Sequence, residues 1–224
     1  MVTISKMPAL SAPNVTSTDL NAEVFEKLAR ARLLAEPPVL NGTHSSGDDD
    51  LNPDAGRFFP HPRHAAVLIP IVAHAPLSVI LTERTGNLSA HAGQIAFPGG
   101  KVEPDDASPL AAAVREAREE IALDGAFIEP LGYLPTYRTG TGFIITPAVA
   151  LVRPGFDLVA DPAEVADIFE VPFQFLMDEA NHKIDSRNWR GNERRFYAMP
   201  YGERYIWGAT AGIIRALYRR LFSA

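Results

Sequence analysis

Apolar residues follow different rhythms in different parts of the chain. Val24, Leu28, Ala31 and Leu34 fall at helical spacing; Thr18 or Asp19 is placed to cap that helix and Pro37-Pro38 to stop it. Residues 65–73 and 77–81 are short runs rich in Val, Ile and Leu, the pattern of buried strands. Further strands are predicted over 128–134 and 142–152, and 87–100 reads as a glycine-rich loop or short-strand region. Helical periodicity returns over 106–121 and near the end, where Ile213, Ile214, Leu217, Tyr218 and Leu221 share one face. Residues 162–178 read as partly helical, interrupted at Pro172. Strands and helices are interleaved without a regular βαβ alternation. The expected fold class is therefore α/β of the α+β kind: a mixed β-sheet sandwiched between α-helices, not a doubly wound parallel sheet.

The same pattern divides the chain. Residues 1–55 are expected to form an N-terminal helix and a flexible loop, and 56–224 the main domain. Residues 1–17 mix Ser, Thr and Pro with small apolar residues. Residues 41–50 are polar, acidic and glycine-containing, and their Asp48-Asp49-Asp50 triplet is either a solvated loop or a place for a cation.

Composition narrows the function. With 46% apolar and 21% charged residues, the chain can bury a core of ordinary size. A net charge of −6 with no basic stripe argues against nucleic acid as a partner, but leaves small phosphorylated ligands open. The absence of cysteine excludes disulfides, thiolate catalysis and cysteine-ligated zinc. No secretory signal pattern is visible, and no apolar run approaches the roughly 20 residues that span a bilayer. The expectation is a cytoplasmic monomer or homodimer with no membrane partner.

The chemistry is concentrated around one helix. Ser108-Pro109 is a good helix start: the hydroxyl can take an orphan amide, and proline at the first helical position loses nothing. Leu110, Ala113, Val114, Ala117 and Ile121 form an apolar stripe. Glu116, Glu119 and Glu120 fall beside it within an arc of roughly 100°. Carboxylates three and four residues apart repel one another, the more so when buried. Arg115 can pair with Glu119 but cannot neutralise all three. Either this is a solvated charged face, or a divalent cation compensates it; oxygen-only ligands favour Mg²⁺ or Mn²⁺. The preceding Phe97-Pro98-Gly99-Gly100 favours the second reading, because paired glycines let backbone approach a ligand closely.

Gly100, Asp106, Arg115, Glu116, Glu119 and Glu120 resemble the Nudix box: glycine, five residues, an acid, a spacer, then Arg-Glu-x-x-Glu-Glu. Asp106 replaces the usual Glu, the spacer holds eight residues instead of seven, Ala117 replaces a larger aliphatic residue, and Ala122 stands where glycine is normal. The acid and spacer changes are similar to those of the family's coenzyme A pyrophosphatase branch. So are Leu81-Thr82-Glu83-Arg84 with Gly93-Gln94-Ile95-Ala96-Phe97-Pro98-Gly99-Gly100, the segment around Glu164-Val165 and Phe169-Glu170-Val171-Pro172, and Trp207-Gly208-Ala209-Thr210-Ala211-Gly212. Ser89 occupies the place of one usual arginine.

The resemblance implies a Nudix fold and water attack on a diphosphate linkage with Mg²⁺ or Mn²⁺ bound. For coenzyme A or acyl-CoA the products would be 3′,5′-ADP and (acyl-)4′-phosphopantetheine; ADP-ribose or a dinucleotide is the alternative substrate, and a non-catalytic binding module the alternative class. It implies Glu116 and Glu120 as primary metal ligands, Glu119 as a further ligand, and a backbone carbonyl from Gly99 or Gly100. Arg115 would orient Glu119, Asp106 would be structural, and Glu164 is the candidate general base. Arg84, Lys101 and Arg138 are candidate cations for substrate phosphates. His91 is expected to be a loop residue, and Phe97 and Trp207 core aromatics.

Overall fold

A computed structural model describes residues 20–39, 46–53, 59, 61–86, 93–189 and 191–223. In chain order its elements are α1 (Ala22–Arg32), β1 (Ser46–Gly47), β2 (Arg63–Val72), β3 (Ser78–Arg84), β4 (Ile95–Ala96), β5 (Gly99–Lys101) and α2 (Pro109–Ile121). Then come β6 (Ile128–Tyr133), β7 (Tyr137–Arg138), β8 (Phe143–Val152), β9 (Val165–Pro172) and α3 (Phe173–Leu176). The last are β10 (Lys183–Trp189), β11 (Asn192–Tyr201), β12 (Arg204–Trp207) and α4 (Ala209–Phe222).

The apolar runs become the centre of a mixed sheet ordered β1-β7-β8-β2-β3-β4, with β5 also paired to β2, β6 to β8 and β9 to β3. β2 and β8 lie parallel, from Arg63 opposite Phe143 to Val72 opposite Val152. Their continuous hydrophobicity follows from burial on both faces. On β2, Ala66, Leu68 and Val72 pack with Ala112, Ala113, Ala117 and Ile121 of α2. Ile69 and Ile71 pack on the opposite side with α1 and α4, represented by Phe25, Leu28, Ile214 and Leu217. The sheet is thus held between helices, as the pattern predicts.

Four features differ from the sequence expectation. The first concerns α1. Its cap is Asn21, whose Oδ1 accepts the Val24 amide at 3.0 Å; Thr18 and Asp19 lie outside the described residues. Its buried face is Phe25, Leu28 and Ala29, while Ala31 is exposed. The helix ends before Leu34, because Leu34 exchanges two backbone hydrogen bonds with Tyr133 of β6. Phe25 packs edge-on against Phe173, ring centroids 5.1 Å apart, and burial of such a side chain contributes about 2–3 kcal/mol.

Second, residues 46–50 are fixed structure instead of a free loop. β1 runs parallel to β7, and Asp48–Asp50 form a 3₁₀ turn. Asp48 accepts the Tyr137 hydroxyl and the Gly140 amide, each at 2.7 Å, and Asp49 pairs with Arg138 at 2.6 Å. Residues 41–45 lie outside the described residues. Third, 165–172 is a strand: β9 pairs antiparallel with β3 along its length, and only Phe173–Leu176 is helical. Pairing with a central strand outweighs the helical spacing. Fourth, β10, β11 and β12 form a separate antiparallel sheet that the periodicity does not announce. Its inner face contributes buried Met199 and Ile206 to the core. Among the described residues no helix is long and apolar enough to cross a membrane.

Candidate active site

The paired glycines lie on β5, opposite Ala66 and Val67 of β2. Gly99 has φ +155°, and a Cβ there would stand 2.4 Å from the Ala66 carbonyl oxygen, so only glycine fits. Its amide donates to Glu120 Oε2 at 3.0 Å. Gly100 serves a different end. A Cβ on it would lie 2.4 Å from the Glu116 carboxylate, which rests directly against this backbone. The glycine turn therefore receives both carboxylates from the neighbouring helix.

α2 begins as expected: Ser108 Oγ accepts the Ala111 amide at 3.1 Å, and Pro109 opens the first turn. Its end takes a left-handed Ala122 at φ 56°. The buried face is Ala112, Ala113, Ala117, Glu120 and Ile121, while Leu110 and Val114 are only partly buried. Glu120 follows Ala117 by three residues and Ala113 by seven, which places it on the stripe that faces the sheet.

Arg115 organises the approach to the helix. It binds Asp106 through two parallel bonds of 3.1 Å and reaches the Lys101 carbonyl at 3.1 Å. It also contacts Glu116 and Glu119, each at 3.0 Å. Asp106 further accepts the Glu103 amide at 2.8 Å. The Arg115 hydrogen bonds, then this amide, hold the Asp106 carboxyl below its usual range. The two parallel bonds fix guanidinium and carboxylate in one plane. They tie the 101–106 loop to α2, a wider task than orienting Glu119.

Glu116 and Glu120 turn inward, with 16% and 3% of their side chains exposed; Glu119 is 58% exposed and turns out toward Arg115. The expected trio is thus a buried pair plus an outer member. The structure supplies another negative group instead, Glu164, which follows the Asp161 turn and precedes β9. Arg84 lies between, its guanidinium 3.4 Å from Glu120 and 3.6 Å from Glu164. Burial is the largest influence on Glu120 and pushes its carboxyl up to about 7, against the Gly99 amide and Arg84 and with the charges of Glu116 and Glu164. Burial also raises Glu116, offset in part by Arg115.

Desolvation and mutual repulsion disfavour charge on carboxylates that retain so few donors. Among the described residues no three acidic or histidine side chains already converge tightly enough to hold an ion. The donor set nevertheless suits a hard divalent cation. Two carboxylates one helical turn apart face the glycine turn, and their buried negative charge exceeds what Arg84 and the Gly99 amide offset.

The other predicted residues are more scattered. Lys101 is exposed and contributes its carbonyl to Arg115. Arg138 is on β7, separated from β5 by β8 and β2, and is paired with Asp49. Phe97 is buried as expected. Trp207 is only partly buried, tilted against Phe196 with ring centroids 5.1 Å apart and the Arg187 guanidinium 4.7 Å from its ring. Ser89 and His91 lie outside the described residues. Sequence reasoning missed the Gly99 amide as a partner of Glu120, and Arg84 as the link between Glu120 and Glu164. These pairs are separated by 21 to 80 positions, and no spacing rule joins them.

Comparison with known proteins adds a direct match: the model of the NUDIX domain aligns with residues 62–190. A Photorhabdus laumondii protein named uncharacterized Nudix hydrolase NudL is 40% identical over 171 residues, covering 76% of this chain and 91% of that one. Its Citrobacter koseri namesake is 44% identical over 156 residues, covering 69% and 81%. Among solved structures, a Nudix hydrolase from M. smegmatis, RenU, superposes with a TM-score of 0.43 at 22% identity, over 54% of this chain and 76% of that one.

Proposed function

The chain belongs to the Nudix hydrolase family, and on that footing we propose that this pyrophosphohydrolase cleaves the diphosphate linkage of coenzyme A or an acyl-CoA. The products are 3′,5′-ADP and 4′-phosphopantetheine or its acyl form. The observation that carries the reading is the meeting of two sequence elements in one place. Arg84 and Gly99 come from the segment similar to the coenzyme A branch, and both engage Glu120 of the box.

Family members generally use a divalent ion such as Mg²⁺ or Mn²⁺. Glu116 and Glu120 would hold it, with Glu119 and the Gly100 carbonyl as further donors. Such an ion neutralises phosphate charge and lowers the pKa of bound water. The protein's own side chains do the rest. Water adds to one phosphorus while the bridging P–O bond breaks, and Glu164 accepts the proton. Its carboxylate is half exposed at the edge of the buried pair, where water can reach it. Arg115 is a positioning residue: through Asp106 and the Lys101 carbonyl it keeps the loop and α2 in register. Arg84, partly buried between Glu120 and Glu164, is the cation placed to bind a substrate phosphate at this site. Lys101, exposed beside the paired glycines, supplies a cation for the 3′-phosphate.

Incubation with coenzyme A and, separately, ADP-ribose in the presence of Mg²⁺ or Mn²⁺ tests the assignment. Release of 3′,5′-ADP from coenzyme A supports it. Preferred turnover of ADP-ribose transfers the site to another nucleoside diphosphate derivative. Hydrolysis that persists unchanged in Glu120→Gln would remove the assigned site, and turnover of neither substrate would remove the catalytic reading.

A further inference from the structure

A cavity lies apart from the carboxylate cluster. It measures about 330 Å³ and sits between the outer part of α4 and the β1–β7 edge of the main sheet. That volume is at the lower end of the range of roughly 300–1,000 Å³ usual for small-molecule sites. Tyr137, its hydroxyl held by Asp48, lies against Gly212 so closely that a Cβ there would stand 2.2 Å from the phenol oxygen. Most of the lining comes from segments flanking residues 62–190; Pro135 and Tyr137 are the exceptions.

The charge of this cavity is unusual for so acidic a protein. Arg215, Arg219 and Arg220 all line it, with Asp50 opposite. Arg215 is neutralised by Glu179 at 2.6 Å. Arg219 makes only a 3.3 Å bond to the Tyr197 hydroxyl, and Arg220 donates its Nε to the Arg32 carbonyl. Among the described residues neither has a carboxylate partner. Asp50 and, behind Tyr137, Asp48 supply the carboxylates of the opposite wall, so Arg219 and Arg220 stand at the α4 side as cations without an ion-pair partner among the described residues. Arginines in the last turn of a helix complement its dipole, but that does not require a cavity beneath them. Two buried polar atoms of the lining, Ser46 Oγ and Arg215 Nε, also lack a hydrogen-bond partner in the protein, a state that a ligand or water ordinarily relieves.

We propose that this cavity binds a phosphate-bearing small molecule, with Arg219 and Arg220 on the phosphate and the Tyr137–Gly212 wall against the remainder. The proposal is independent of the hydrolytic reading, since it shares no residue with the Glu116–Glu120 cluster.

Isothermal titration of the full chain with AMP and with inorganic phosphate, each in EDTA to prevent bridging through a cation, provides the test. One saturable site is expected, weakened about tenfold or more in Arg219→Glu through loss of a charge-assisted contact, and retained in Glu120→Gln. Tighter binding of AMP assigns an organic phosphate, whereas equal or tighter binding of inorganic phosphate assigns the free ion. Arg219 is exposed, so its variant should melt within a few degrees of the parent and report binding rather than folding. Ala216→Phe, which fills the cavity without altering charge, should abolish AMP binding. The proposal is overturned if neither probe binds, if Arg219→Glu binds as the parent does, or if Glu120→Gln removes the site.

Discussion

Glu120 and Glu119 are adjacent in sequence and opposite in circumstance. Glu120 is buried against the Gly99 amide, and Glu119 is mostly exposed beside Arg115. Glu120→Gln should lower kcat by more than about 100-fold, beyond the loss usual for a group that only supports a metal ligand. Glu119→Gln should lose less. Equal losses in parallel assays would show that burial does not rank the two. Gly100→Ala makes a sharper demand, because the added methyl overlaps the Glu116 carboxylate. The expected result is loss of turnover and of Mg²⁺-induced thermal stabilisation in a protein that still folds. Retention of both would show that Glu116 is free to move aside.

At the level of elements, the join between the 101–106 loop and α2 depends on the planar Arg115–Asp106 pair. Lysine keeps the charge but cannot reproduce two parallel bonds. Arg115→Lys should therefore cost about 10–100-fold in turnover and raise the Mg²⁺ concentration needed for half activity, with little change in melting temperature. A large fall in stability at unchanged metal demand would make Arg115 merely structural. The cap at the start of α2 is separable from this. Ser108→Ala should remove about 1 kcal/mol of stability, measured by urea denaturation, and leave the pH profile of turnover unchanged.

At the level of the molecule, α1, α4 and the β10–β12 sheet close one side of the core, and a histidine under α4 makes that closure sensitive to pH. Arg215 Nη1 can only donate to His182 Nδ1, at 3.2 Å, so Nε2 carries the proton given to the Leu176 carbonyl at 2.7 Å. Burial first, and the Arg215 charge after it, hold this imidazole below its ordinary value of 6.5. The unfolded chain then takes up a proton near 6.5 while the folded chain stays neutral. Stability is complete above that pH and falls as pH drops below it, until His182 itself titrates in the folded protein. In His182→Gln the slope of stability between pH 7 and 5 should be shallower than in the parent. An unchanged slope would place the acid sensitivity elsewhere.

Much of this was legible in the chain itself. The dense Val, Ile and Leu content of β2, β3 and β8 announces strands covered on both sides, because a strand with an exposed face would alternate with polar residues. Ser108-Pro109 and the alanines announce α2, and the glycine pair with its following acids announces the chemistry, since each of these is a local preference. Tertiary structure decided what local preference cannot. The 165–172 segment became a strand because β3 offered it a partner, and the Asp48 turn is ordered because Tyr137 and Gly140 meet it from some 90 residues away. Helical spacing gathers Glu116, Glu119 and Glu120 on one arc, but it cannot say which of them enters the low-dielectric interior. That depends on how closely α2 lies against β5 and on Arg84 and Glu164, groups that only the folded chain brings alongside.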